Sequence, residues 1–211
     1  MPYLHAELDR IMELYERIEG RKQHENAAPT WRDADDLKEL STLSEKHQGD
    51  EEALEDTAVV LSYLAECYDR MVRPGKSAEY YDRLISCLVR IGETDADNLE
   101  DALYRAAKAR NFFEPDACED YIALASPRLP EEKVREIISS AAESRRTSIK
   151  YDPVEKTKEY LAVIDEVERE IDEAKTTDLP QEYWNLKSYY LSQRGIDWRS
   201  PAELNPGVMF D

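Results

Sequence analysis

The sequence is short of glycine, of histidine, of basic residues and of long apolar runs. Six glycines in 211 residues leave few flexible joints. Val, Ile and Thr nowhere alternate with polar residues, which argues against strands. The longest uninterrupted apolar runs are only a few residues, too short for a transmembrane helix. The first ten residues, MPYLHAELDR, have neither a basic n-region nor an apolar h-region, so no secretory signal is read there and a cytoplasmic address is the expectation. The three histidines, His5, His24 and His47, form no HxxxH, HExxH or ExxH spacing, so the usual helical metal-ligand sets are missing. GxGxxG, GxxxxGK[ST] and GxSxG are absent too, which removes the common phosphate loops and the nucleophile elbow. Cys67, Cys87 and Cys118 are far apart and make no CxxC. They read as reduced, small hydrophobic residues.

Basic residues number 28 against 47 acidic ones, a net charge of −19. Such a field repels nucleic-acid phosphates and anionic membranes, and it welcomes basic peptides or proteins. The same charge also serves plain solubility. Hydrophobic residues at 41% and charged residues at 36% fit a folded helical protein with charged outer faces.

Helical periodicity runs nearly end to end, and the chain reads as all-α with about nine helices. Leu4, Leu8, Ile11, Met12, Tyr15 and Ile18 make a first stripe, closed by Gly20. Thr30 and Asp50 read as N-caps of a second and a third helix. Pro74-Gly75 is expected to break the third, and a fourth spans about 76–91. Further helices are expected over about 95–112, from Glu114-Pro115 to Ser126, and over 130–144. Asp152-Pro153 with Glu155 reads as a capping box opening a long helix. Asp178 and Gln181 bracket the start of one more helix, which ends at Gly195, and Ser200-Pro201-Ala202-Glu203 is a second capping box. The chain is taken as a single domain over 1–211: N-terminal helices to 49, paired helices over 50–145, then a long helix, a capping helix and a tail over 152–211. Residues 144–152, SRRTSIKYD, are the best candidate boundary within it. Charge shifts there as well: residues 31–56 hold ten acidic and three basic side chains, residues 143–158 three and five.

Residues 58–91 carry small and large packing residues at the spacing of two crossing helices: Leu61, Leu64, Ala65 and Tyr68, then Ser77, Tyr81 and Leu84. This stretch resembles a tetratricopeptide repeat. It departs from that pattern at Leu84, where a small residue is usual, and at Val89, where proline is common. A weaker copy over about 99–130 lays Ala106, Ala109, Ala117, Tyr121 and Leu124 on the first, offset by 41 residues in its first helix and 40 in its second. The resemblance implies helix pairs stacked as a short right-handed superhelix, with a concave groove. Carried over, the groove positions are Val59, Ser62, Glu66, Asp69 and Arg70, and in the weaker copy Glu100, Leu103, Ala107, Arg110 and Asn111. Two acids among the first five argue against a carboxylate clamp and for a basic or neutral extended peptide.

Two other constellations stand out. Glu52 and Glu55 with Glu79 and Asp82 resemble the Mg²⁺-binding acids of all-α nucleotide pyrophosphatases. An antiparallel hairpin turning at Pro74 would hold the two pairs roughly 25 Å apart, too far for one metal cluster. The C-terminal stretch is aromatic-rich: Trp184, Tyr189, Tyr190, Trp198, Met209 and Phe210 read as a cap folded over the helices, or as a homodimer contact. The expected function is a non-catalytic protein- or peptide-binding adaptor without cofactor or metal. A self-associating structural subunit is the alternative, and an Mg²⁺-dependent pyrophosphatase the remote one.

Overall fold

The computed structural model describes residues 5–22, 28–47, 49–91, 96–111, 117–145, 149–177 and 179–210. Among them are ten α-helices and no strand. The chain divides into two compact units, Met1–Arg146 and Thr147–Asp211. The division lies inside 144–152, the boundary candidate within what the sequence reading takes as one domain. No described helix is long and apolar enough to cross a membrane.

The first unit contains α1 (His5–Arg21), α2 (Ala34–His47), α3 (Leu54–Arg70), α4 (Pro74–Ile91), α5 (Ala96–Arg110), α6 (Asp120–Ala125) and α7 (Glu131–Arg145). Successive helices pack together from α1 to α5, and α7 packs on α5. Alternate helices also touch. The Tyr15 and Tyr63 rings join α1 to α3 at 4.4 Å, and Arg83 of α4 donates to Ser44 Oγ of α2 at 2.9 Å. The α3–α4 pair is antiparallel: Tyr68 stacks on Tyr80 at one end, and Arg90 reaches Glu51 at the other. Leu61, Leu64, Ala65, Ser77 and Tyr81 are buried between them, as expected, while Tyr68 is partly buried against the same core.

Local signals explain most ends. Thr30 caps a 3-10 turn leading into α2, and its capping box is closed by Asp33. Asp33 and Asp36 are buried but paired with Arg21, and Asp36 also with Arg17, so α1 is clamped to α2 by charge. Asp50 caps the turn before α3. Pro74 corrects the reading: it is the first residue of α4, where its missing N–H costs nothing, and not the break. The break is Met71–Arg73, with Val72 at φ 56°. In α1 the buried residues are Ile11, Leu14 and Ile18, while Met12 is exposed. Burial carries the three thiols above their ordinary range, Cys67 up to about 11, which fits inert core residues. The start expected at Glu114-Pro115, and Leu4 and Asp178, lie outside the described residues.

The second unit contains α8 (Lys158–Ala174), α9 (Pro180–Gln193) and the short α10 (Pro201–Leu204). Its core is Tyr160, Ile164, Val167, Ile171, Leu191, Ile196 and Trp198. Asp152 caps only a 3-10 turn, Pro153–Lys156, and α8 starts later on Thr157, whose hydroxyl accepts from Tyr160 N. Glu155 is therefore no helix cap. It is buried and accepts the Trp198 indole N–H at 2.6 Å. Lys187, also buried, lies 3.7 Å from Glu155 and over the rings of Trp198, Tyr160 and Tyr183.

Candidate binding cleft

α4 packs against both α3 and α5, and the two leave an open cleft above it of about 220 Å³. Ala58, Val59, Ser62 and Glu66 of α3 form one wall. Asn98, Asp101 and Ala102 of α5 form the other. Tyr81, Leu84 and Leu88 of α4 are the floor. The helical period explains the wall: positions 58, 59, 62 and 66 fall on one face of α3, while 57, 60, 61, 64 and 65 are in the core. Val59 is 62% exposed, a large apolar side chain held at the mouth.

Charge is uneven around the cleft. Glu66 and Asp69 are exposed acids, and both are charge neighbours of the Tyr81 hydroxyl. Asp101 accepts from Arg105 Nε at 2.7 Å along α5. Tyr81 is 2% exposed, and burial pushes its hydroxyl up to about 12, so it stays protonated. That hydroxyl is closed to solvent, with the Arg105 guanidinium beside it as its polar neighbour.

Three of the five groove positions carried over to α3 line the cleft: Val59, Ser62 and Glu66. Asp69 flanks it, and Arg70 is instead a charge neighbour of Glu19 on α1. The second set does not form a groove. Leu103 and Ala107 are fully buried in the core, and Asn111 is buried beside Cys118. Arg110 is engaged by Asp82 and lies over the Tyr121 ring, and Glu100 pairs with Lys133 of α7. The cleft face of α5 is Asn98, Asp101 and Ala102, a different face of that helix from the positions the 41-residue superposition selects. Residues 92–95, GETD, lie outside the described residues, and only the polar Asn98 and Asp101 one turn apart hint at this face of α5.

The other constellations come apart. Glu79 pairs with Lys76, and Asp82 accepts from Arg110 and from the Tyr121 hydroxyl. Glu51 and its neighbours lie at the far end of the hairpin, beside Arg90. Among the described residues no group of three or more His, Cys, Asp or Glu is placed to hold a metal ion. In the C-terminal stretch, Trp198 is core and unavailable to a partner, because its indole N–H is committed to Glu155. Phe210 folds back edge-on against Trp184 at 5.0 Å. Tyr190 packs against the second core, and Met209 is 86% exposed. No family model, curated protein or solved structure matches the chain.

Proposed function

We propose that the protein is a non-catalytic binding adaptor whose α3–α5 cleft takes an extended segment of a basic or neutral protein partner. One observation carries this reading: an open cleft with an apolar floor, an exposed valine at its mouth and an excess of acids on its rim. Apolar floors supply affinity, and rim charge selects the partner and speeds encounter. The antiparallel α3–α4 pair, packed against helices on either side, supports a tetratricopeptide-like repeat as the scaffold.

A displayed library of extended peptides tests the reading. The wild type should enrich peptides containing Lys or Arg, and Glu66→Lys with Asp69→Lys should lose them. Selection of the same peptides by the double variant would remove the cleft from the account. Self-association of the second unit is a second reading, favoured by the exposed Met209, Val208, Tyr189 and Leu179. A mass by light scattering that stays monomeric at every concentration ends it.

A further inference from the structure

We propose that the outward face of α9 is a twofold self-contact, through which the second unit of one copy docks on the second unit of another. This rests on the reading of the second unit as self-associating. It adds the surface and the symmetry of the contact.

Charge singles out the face. The chain is 36% charged, yet the 14 residues of α9 include only Glu182 and Lys187. Both are used inside their own unit. Lys187 is buried beside Glu155, and Glu182 accepts from the amides and hydroxyls of Thr176 and Thr177. Every exposed residue of α9 is uncharged: Gln181, Asn185, Ser188, Tyr189, Ser192 and Gln193. The neighbouring α8 shows the usual pattern, with Lys158, Glu159, Glu166, Arg169 and Glu173 exposed. Charges are costly to desolvate, and the centres of interfaces are depleted of them.

Spacing makes the face a seam. Gln181, Asn185, Ser188 and Ser192 stand four, three and four residues apart, so they form one stripe along the helix. Tyr189 flanks the stripe and is 57% exposed, a large ring left in water. Tyrosine is enriched where protein surfaces meet. The rest of α9 is already filled: Leu191 lies in the second core, and Tyr183, Trp184, Leu186 and Tyr190 pack against it.

Chemistry then selects the occupant. A second copy also carries a net charge of −19, so a contact that presents acids to its own mate is opposed by repulsion. The α9 face avoids this. Side-chain amides and hydroxyls each hold a donor and an acceptor, so they can bond to the same groups across a twofold axis. A basic partner would find no opposite charge there. Two α8–α9 pairs joined in this way make a four-helix arrangement, in which each hairpin covers the other's open side.

The experiment follows the mass of the full chain by sedimentation equilibrium, at about 20 and about 300 mM salt. A dimer is expected, tighter at the higher salt because repulsion is screened. Ser188 stands near the middle of the stripe, where a twofold axis brings it close to its own mate. Ser188→Glu and Ser188→Lys should each weaken the dimer about tenfold or more, and an equal mixture of the two should restore it. Ala162→Glu, on the exposed face of α8, should leave it unchanged. Circular dichroism melts check that the variants are folded. A dimer equally strong in Ser188→Glu and wild type overturns the α9 face and leaves self-association standing. A dimer broken in both variants and not restored by mixing overturns the twofold pairing. A monomer at every concentration and at both salts overturns self-association as well.

Discussion

Val72 and Gly195 occupy the same place in two helix ends. After α3, Arg73 N–H bonds to Tyr68 C=O and Val72 N–H to Asp69 C=O. After α9, Ile196 N–H bonds to Leu191 C=O and Gly195 N–H to Ser192 C=O. Both are Schellman closures, and both put the residue past the cap in the left-handed region, at φ 56° and 75°. Glycine adopts that conformation freely, whereas a β-branched side chain is strained there. Val72→Gly is therefore expected to stabilise the protein by about 1 kcal/mol, raising the melting temperature by about 2–4 °C. A melt that falls would mean that the half-exposed valine makes contacts worth more than the strain. Lys187 gives the opposite kind of test. Removing one member of a buried ion pair strands the other, at about 3–5 kcal/mol. Lys187→Met should lower the urea midpoint followed by tryptophan emission, and adding Glu155→Gln should recover part of the loss. A double variant no better than the single would show that the aromatic contacts of Lys187, and not its charge, hold the second core.

At the scale of elements, α8 shows what a cap signal can and cannot say. Asp152-Pro153 with Glu155 looks like a helix start, yet Asp152 serves both Val154 N–H and Arg199 N–H, and the α-helix begins on Thr157. Thr157→Ala should cost about 1 kcal/mol, read as a loss of urea stability. The all-α class, the α3–α4 hairpin, the caps at Thr30, Asp50 and Ser200, and the α3 wall of the cleft were legible because each depends on local chemistry or on one helix's period. The α5 wall was not, because a superposition that carries inserted residues can turn a helix onto another face. The burial of Glu155 and Lys187 was not legible either: charges on a helical stripe are normally outside, and only tertiary partners bring them in.

The start of α9 has its own pH signature. Glu182 accepts from the amides and hydroxyls of Thr176 and Thr177, which hold its carboxyl down to about 2, against an ordinary value of 4.5. A depressed folded value means that its contribution is complete above 4.5 and is lost as pH falls towards 2. The stability gap between wild type and Glu182→Gln should therefore close across that window. A gap that stays constant down to the bottom of it would show that the four bonds do not depend on the charge.

For the whole molecule, the net charge is −19. Salt should stabilise the fold between about 10 and 150 mM by screening self-repulsion, even as it weakens individual surface pairs. A melting temperature that drops over this range would mean that the ion pairs of α1 and α2 outweigh the net repulsion. The central claim is that the α3–α5 cleft is where a partner docks. The most direct measurement places a photo-crosslinking amino acid at Val59, on the cleft wall, and in a separate protein at Met12, equally open to solvent on α1. The account predicts that a discrete adduct forms from Val59 alone and disappears when Glu66→Lys and Asp69→Lys are added. Equal adducts from both positions, or an adduct from Val59 indifferent to the two lysines, would contradict it.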